Sequence, residues 1–379
     1  MERIGIFGGS FNPVHKEHIA LAKSAVKELN LDRLLVVPTY VAPHKSGAPA
    51  PAEHRLAMLR LAFEGEDKIE VCDYEIAKGG TSYTYLTVEH FKKSTGADIF
   101  FLVGADMLKD FKTWRNPQRI LDACTLCAFG REGEHADYLA EQEYFTKTFG
   151  KQFVLLSGVG EKQSSTKIRV YNQLGLDITD KTADSVAKHI EKHGLYVGDK
   201  YANFIKKSLP QKRLIHTANV TVCALYKAKE LGLDSEKVRI SAMLHDCAKY
   251  IDPASVKGFE LPVDVPPPVA HAFVGAHVAR HVLGVTDNEI IDAIKYHTSG
   301  RANMSNLEKL IFVADMVEDG RVYDGVDRLR KLYYTMDFDT CFKYCLEEEL
   351  QHLLNKKQYI YKETLNASQY YLKDFKGDD

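Results

Sequence analysis

The chain has 379 residues, 45% hydrophobic and 27% charged, a length that predicts about two to three ordinary globular domains. Its formal net charge of -2 excludes a global basic field that would gather nucleic acid or an anionic membrane surface, so any anion binding must be local. Seven cysteines without regular spacing fit a reducing, cytoplasmic setting, and neither an apolar run of about 18 residues nor a basic-then-apolar leader is present, so neither a membrane span nor a signal peptide is expected.

Arg3–Gly9 (RIGIFGG) reads as a strand, Glu17–Asn30 as a helix with Ile19, Ala22 and Val26 along one face, and Asp32–Tyr40 as a second strand. Glu53–Gly65 follows as a helix, then Ala97–Asp106 and Cys124–Arg131 as buried strands. The alternation predicts a parallel sheet with helices on both faces, a Rossmann-like, doubly wound α/β domain. Ligands of such sheets sit beyond the carboxyl ends of strands at a switch point, where Gly8 and Gly9 fall. Cys124 and Cys127 spell C-x-x-C but lack a second ligand pair, and they are expected to pack, as are Cys341 and Cys345.

From about Tyr201 the pattern is helical: Arg213–Gly232, Ser235–Ile251, Val269–Gly284, Thr286–Thr298, Asn306–Asp319 and a long tail helix. The proline-rich stretch Glu260–Ala270 reads as a loop. The boundary is placed near Gly198, giving an α/β domain of residues 1–198 and an all-α domain of 199–379, with no repeat and no low-complexity linker.

The stretch from Ile4 to His18 (IGIFGGSFNPVHKEH) holds the first candidate site. Glycines between a strand and a helix let backbone N–H groups approach a phosphate, and the positive helix start adds to this. Pro13 suits the helix opening. His15 and His18, about one turn apart, would donate to oxygens that gain charge in a transition state. These residues resemble the G-x-F-x-P-x-H-x-G-H signature of the nucleotidyltransferase superfamily, and Ser164–Arg169 (SSTKIR) matches its S-S-T-x-I-R element. Residues 3–197 resemble, more narrowly, bacterial nicotinate-nucleotide adenylyltransferase, through PTYVAPHKSG, GGTSYTYLTVEH, LVGADMLKDFKTW and KHIEKHGLY.

That resemblance implies transfer of AMP from ATP to nicotinate mononucleotide, with Mg²⁺, yielding deamido-NAD and pyrophosphate. It implies an ATP site of Gly8, Gly9, Ser10, Phe11, His15, His18, Gly104, Asp106, Ser164, Ser165, Thr166 and Arg169. It implies a second-substrate site of Pro43, His44, Lys45, Ser82, Tyr83, Thr84, Trp114 and Arg131, with His15, His18, Lys45 and Arg169 spreading charge during transfer. Glu17 stands where the signature has glycine, and its carboxylate would either crowd the nucleotide or point to solvent.

The second candidate site centres on His245-Asp246, expected inside an apolar helix, where a buried carboxylate is costly unless paired or metal-bound. His216, His271, His297 and Asp315 complete a set of N and O donors sufficient for two transition ions sharing Asp246. By spacing alone His277 and His281 offer an equally good pair. The choice of His271 rests on resemblance: residues 203–375 resemble HD-domain phosphohydrolases, with H…HD…D on His216, His245, Asp246 and Asp315, and HAFVGAHVA and AIKYHTSGR adding His271 and His297 as in a diadenosine tetraphosphatase subfamily. This implies symmetric cleavage of diadenosine tetraphosphate to two ADP at a di-iron centre, with Asp246 catalytic and Lys249, Arg301 and Arg321 anchoring the polyphosphate. Imidazole and carboxylate suit Mn²⁺ and Co²⁺ as well as iron. One alternative keeps both folds but changes the nucleotide substrates; another makes the first domain a nucleotide sensor that regulates the hydrolase.

Overall fold

The computed structural model describes residues 1–41, 49–130, 138–158 and 163–375, with Asp106 described in its backbone alone. The chain forms two compact units, Met1–Arg169 with Ile178–Tyr196, and Val170–Asp177 with Val197–Asp379. The last passage between them, at 196/197, lies near Gly198, but residues 170–177 group with the second unit.

The first unit is built on a six-stranded parallel sheet: β1 (Arg3–Gly9), β2 (Arg33–Pro38), β3 (Ile69–Val71), β4 (Asp98–Gly104), β5 (Thr125–Phe129) and β6 (Val154–Leu156), in the order β3-β2-β1-β4-β5-β6. Ile4, Ile6, Leu34, Val36, Val37, Leu102 and Leu126 are wholly buried, the expected composition of strands covered on both faces. β3 and β6, three residues each, are too short to leave a periodic signal. The strand order reverses between β1 and β4, which pair from Arg3↔Asp98 to Phe7↔Leu102. The carboxyl ends of these strands, at Gly9 and Gly104, therefore flank the crevice that such a reversal opens.

The second unit is helical among its described residues: Lys200–Ser208, Gln211–Ala228, Ser235–Leu244, Pro267–His281, Asn288–Tyr296, Asn306–Val317, Val326–Thr335, Phe338–Asn355 and Lys362–Tyr371. Two expectations are corrected. The helix expected to run through Ile251 ends at Leu244, so His245 is its C-cap and Asp246 lies in the following turn. The long tail helix is three helices, interrupted where Asp337 caps a new start by accepting from the Thr340 N–H and where Lys357 turns into the left-handed region at φ 50°. Asn306–Val317 begins with a reciprocal cap between Ser305 and Glu308, and its Leu310, Ile311, Val313 and Ala314 are wholly buried in the central core. Gly198 is required by close packing: a Cβ there would lie 2.5 Å from the Gln173 carbonyl oxygen. Among the described residues no helix is long and apolar enough to cross a membrane.

Candidate functional site

After β1 the chain turns through Ser10–Val14. Phe11 adopts a left-handed φ of 44° and buries its ring against Phe7 and His18, at centroid distances of 5.5 and 5.0 Å. A Cβ on Gly9 would sit 3.0 Å from that ring, so glycine permits the loop to fold beneath itself. Pro13 lies ahead of the helix and does not open it. Lys16–Glu28 begins after His15, which is the N-cap.

The two histidines cap the helix reciprocally. His15 Nδ1 accepts from the His18 N–H at 3.4 Å, and His18 Nδ1 accepts from the His15 N–H at 3.3 Å. Their rings stack at 3.6 Å. With Nδ1 accepting, the neutral tautomer carries its proton on Nε2, the atom each ring has to present to a phosphate. Burial lowers the His15 pKa to about 4, so this imidazole is neutral near pH 7.

The second signature folds onto the first. Ser165 Oγ donates to the Pro13 carbonyl at 2.8 Å, and Arg169 Nη1 donates to the Asn12 carbonyl at 2.7 Å while Nη2 donates to Thr166 Oγ1 at 3.0 Å. Ser164 Oγ caps the following helix by accepting from the Lys167 N–H at 3.1 Å. Two residues of this network had no motif to announce them. Arg55, 1% exposed, donates to the carbonyls of Ser10, Thr39 and Ala50 at 3.0, 2.6 and 3.0 Å. Tyr196 OH donates to Asn12 Oδ1 at 2.7 Å. The signal for Arg55 is an arginine on the buried side of an otherwise apolar helix face.

Glu17 neither crowds the loop nor simply points to solvent. Its Oε2 accepts from the Gln163 N–H at 2.9 Å, securing the approach to Ser164–Arg169. Glu17→Gly is therefore expected to lower adenylyl transfer by about tenfold or more, a hydrogen bond to a charged acceptor being worth about 1.5–3 kcal/mol. A steady-state assay checks this, and a rate gain would reverse the reading.

Of the remaining first-site residues, Gly104 closes β4 and Asp106 starts the short helix Asp106–Asp110. Ser82 Oγ accepts from the Tyr40 N–H at 2.9 Å, Tyr83 lies under the Arg115 guanidinium at 5.0 Å, and Thr84 opens the helix Thr84–Thr95. Trp114 is half-buried beside Phe111 and Phe101. Pro43, His44, Lys45 and Arg131 lie outside the described residues. Burial pushes the Cys124 and Cys127 thiols up to about 12, which leaves both un-ionised at neutral pH.

In the second unit, His216, His245, Asp246, His271, His297 and Asp315 converge. Asp246, 2% exposed, divides its oxygens. Oδ2 lies 3.7 and 3.6 Å from Nε2 of His216 and His245, and Oδ1 lies 3.0 and 3.7 Å from Nε2 of His271 and His297. Asp315 Oδ1 is 3.0 Å from His216 Nε2. The ligand atoms fall into three overlapping groups, His216–His245–Asp246, Asp246–His271–His297 and His245–His297–Asp315. His277 and His281 join none of these groups.

The donor chemistry fits divalent cations. Nδ1 of His245 and of His297 donates to the carbonyls of Ala242 and Ile294 at 2.6 and 2.8 Å, and Nδ1 of His216 faces Glu318 Oε1 at 3.0 Å. Each contact turns an Nε2 lone pair into the cluster, the outer support that metal-bound imidazoles receive. Nε2 of His245 and of His216 are 3.3 Å apart, and Asp246 Oδ1 is buried without a well-formed hydrogen bond. Donors of these types gathered this closely could hold a divalent cation among them.

Burial opposes the Asp246 charge, but His245, His271 and His297 outweigh it and hold the carboxyl well below its usual range. Burial likewise opposes a charged His216, yet Asp315 and Glu318 raise its pKa. Around the cluster, Arg213 Nη1 donates to Asp246 Oδ2 at 2.8 Å, Arg321 pairs with Asp315, and Lys249 Nζ stands 3.2 Å from His271 Nε2. Arg213, one helical turn before His216, was not anticipated. Arg301 grips the buried Glu308 through Nε and Nη2 at 2.6 and 3.0 Å, a cap-stabilising engagement it would have to share with any polyphosphate. Glu318→Gln is expected to weaken metal retention about 10–100-fold, measured as metal content after graded chelation.

The comparisons agree with both halves. Residues 6–170 match the Cytidylyltransferase-like family and residues 213–319 match the HD domain. Fold and sites thus define a nucleotidyltransferase fused to an HD-domain hydrolase. The chain belongs to the nicotinate-nucleotide adenylyltransferase/Ap4A hydrolase family. A Mycoplasma genitalium protein described as "Probable nicotinate-nucleotide adenylyltransferase/Ap4A hydrolase" is 30% identical over 345 residues, covering 87% of this chain and 93% of that relative. A Clostridium acetobutylicum protein described as "Probable nicotinate-nucleotide adenylyltransferase" is 40% identical over 200 residues, 52% of this chain and 100% of that relative. A solved structure from Clostridium acetobutylicum, described as a "predicted HD superfamily hydrolase involved in NAD metabolism", shares 30% identity and covers 47% of this chain and 97% of its own, with a TM-score of 0.42.

Proposed function

We propose that the first unit transfers AMP from ATP to nicotinate mononucleotide, and that the second cleaves diadenosine tetraphosphate (Ap4A) symmetrically into two ADP. The observation that carries this reading is the paired architecture of anion sites: a glycine loop with two Nε2 donors in one unit, and a carboxylate shared between two imidazole pairs in the other.

In the first reaction a phosphate oxygen of nicotinate mononucleotide attacks the α-phosphorus of ATP, and the bond to pyrophosphate breaks in line. No group leaves or joins the protein, so its contribution is positioning and charge stabilisation. Backbone N–H groups of the Gly8–Phe11 turn and Nε2–H of His15 and His18 meet the phosphates. Arg169 keeps the Ser164–Thr166 hydroxyls beside them. Among the described residues no group of three metal-ligating side chains surrounds this loop, and we assign Mg²⁺ to the phosphates of the incoming ATP. Trp114 and the Ser82–Thr84 turn are assigned to the nicotinate side, with Pro43, His44, Lys45 and Arg131 completing it.

In the second reaction water adds to one of the two central phosphorus atoms, the central P–O–P bridge breaks, and each half leaves as ADP. Two ions held by His216, His245 and Asp315 and by His271 and His297, with Asp246 common to both, would polarise the phosphate and acidify water near neutral pH. The imidazole and carboxylate donors suit iron, which we assign from the resemblance. We assign Arg213, Arg321 and Lys249 to neutralising the polyphosphate, Arg321 sharing with it a guanidinium that already donates to Asp315.

Incubating the full chain with Ap4A and separating the nucleotides tests the cleavage pattern. ADP alone is expected, and equal AMP and ATP would overturn symmetric cleavage. In parallel, ATP with nicotinate mononucleotide should give deamido-NAD faster than ATP with nicotinamide mononucleotide gives NAD, and the reverse preference would overturn the first assignment.

A further inference from the structure

Outside both sites, the first unit brings three histidines together. His54 comes from the helix Ala52–Ala62, His189 from Asp184–Lys192, and His193 from the C-cap of that second helix. His54 Nδ1 lies 3.1 Å from His189 Nε2. Ring centroids are 5.3 Å apart for His54 and His189, 4.9 Å for His54 and His193, and 4.4 Å for His189 and His193. One ligand nitrogen from each falls within 4.8 Å of the others.

His189 and His193 stand one helical turn apart and present both rings to the same neighbour. Burial, then His193, His54 and Lys192, hold the His189 pKa below its usual value, so its lone pair is available at neutral pH. Three imidazoles are a known ligand set for zinc, and metal–nitrogen bonds of about 2.0–2.1 Å in a tetrahedral site require nitrogens about 3.3 Å apart. The 3.1 Å separation of His54 and His189 needs little adjustment to meet this.

We propose that His54, His189 and His193 form a zinc site, separate from the HD cluster, that staples these two helices. His193 is exposed, which leaves a fourth position open to water. The staple has a bearing on the nucleotide loop. Arg55, adjacent to His54, holds the Ser10 and Thr39 carbonyls, and Tyr196, three residues beyond His193, holds the Asn12 side chain. An ion joining the helices ties together two elements that grip the same turn.

The test uses the chelator-stripped full chain and its His193→Ala and His54→Gln variants, each also carrying Asp246→Ala to disable the HD cluster, titrated with zinc alone. The parent should bind one zinc more than either variant. At about a hundredfold excess over Kd, zinc should raise its first unfolding transition by about 5–10 °C, with no shift in the variants. His193→Ala, at an exposed position, should melt like the parent when zinc is absent. Equal zinc stoichiometry in all three proteins, or a parent whose melting ignores zinc, would overturn the proposal and leave the rings joined by hydrogen bonding alone.

Discussion

Replacing Asp246 with asparagine is expected to lower Ap4A cleavage by about 1,000-fold or more and to strip the purified protein of most of its HD-site metal. The size follows from the shared position of this carboxylate. Its two oxygens serve two different imidazole pairs, so one substitution removes a negative ligand from both ion positions. Losing several kcal/mol of transition-state stabilisation corresponds to rate losses of this order. Asparagine preserves shape and one oxygen, and Arg213 loses only its charged partner, so the helices should stay folded. Metal analysis and a cleavage assay on the same preparation check the claim. Adenylyl transfer by that preparation should remain within about twofold of wild type, because Asp246 belongs to the second unit. Full cleavage with full metal would remove Asp246 from its assigned place.

The second large effect is expected at His18. His18→Ala should reduce deamido-NAD formation about 100- to 1,000-fold, the cost of deleting one preorganised donor to developing charge. Alanine also removes the ring from Phe7 and Phe11 and breaks the reciprocal cap with His15, so a fall in rate alone would not isolate the donor. His18→Asn separates the two contributions. Asparagine Oδ1 can replace Nδ1 as the acceptor for the His15 N–H, but nothing replaces Nε2–H. A rate as low as that of alanine, with a melting temperature near wild type, is the expected result. Recovery of the rate in asparagine would assign His18 to capping alone. Because burial keeps the His15 pKa at about 4, the transfer rate should show no step from His15 between pH 5 and 8.

Much of the architecture could be read from residue order. The β-branched runs, the abrupt Gly8-Gly9 and the later absence of strand periodicity were sufficient for a parallel α/β unit and a helical unit. Of the HD candidates only the His245-Asp246 pair stood out from its apolar surroundings; His216, His271, His297 and Asp315 were chosen through the family resemblance, because spacing alone left His277 and His281 equally good, and the structure brings the six chosen residues together. The end of the Ser235–Leu244 helix was hidden because His245 keeps right-handed dihedrals and apolar residues continue past it. The tail breaks at Met336 and Lys357 were hidden for a related reason, as neither residue is a strong helix breaker. The partners of Arg55 and Tyr196 were illegible for a different cause. These two side chains bind carbonyls and an amide oxygen supplied by distant segments, and such partners leave no local spacing to recognise. Glu17 looked like a lost glycine until its partner, 146 positions away in the chain, came into view.

The grouping of residues 170–177 with the helical unit bears on how the polypeptide can be dissected. Tyr171 donates its hydroxyl to Asn219 at 2.7 Å within that unit, and the chain then returns to supply Thr182 and Tyr196 to the sheet unit before leaving again. Scissors applied once, after Gly198, would send Tyr171 away with the wrong fragment and uncover Asn219 in the other. A cut there would therefore cost the helical fragment the Tyr171–Asn219 hydrogen bond, a loss that the melting temperature of the isolated fragment would register.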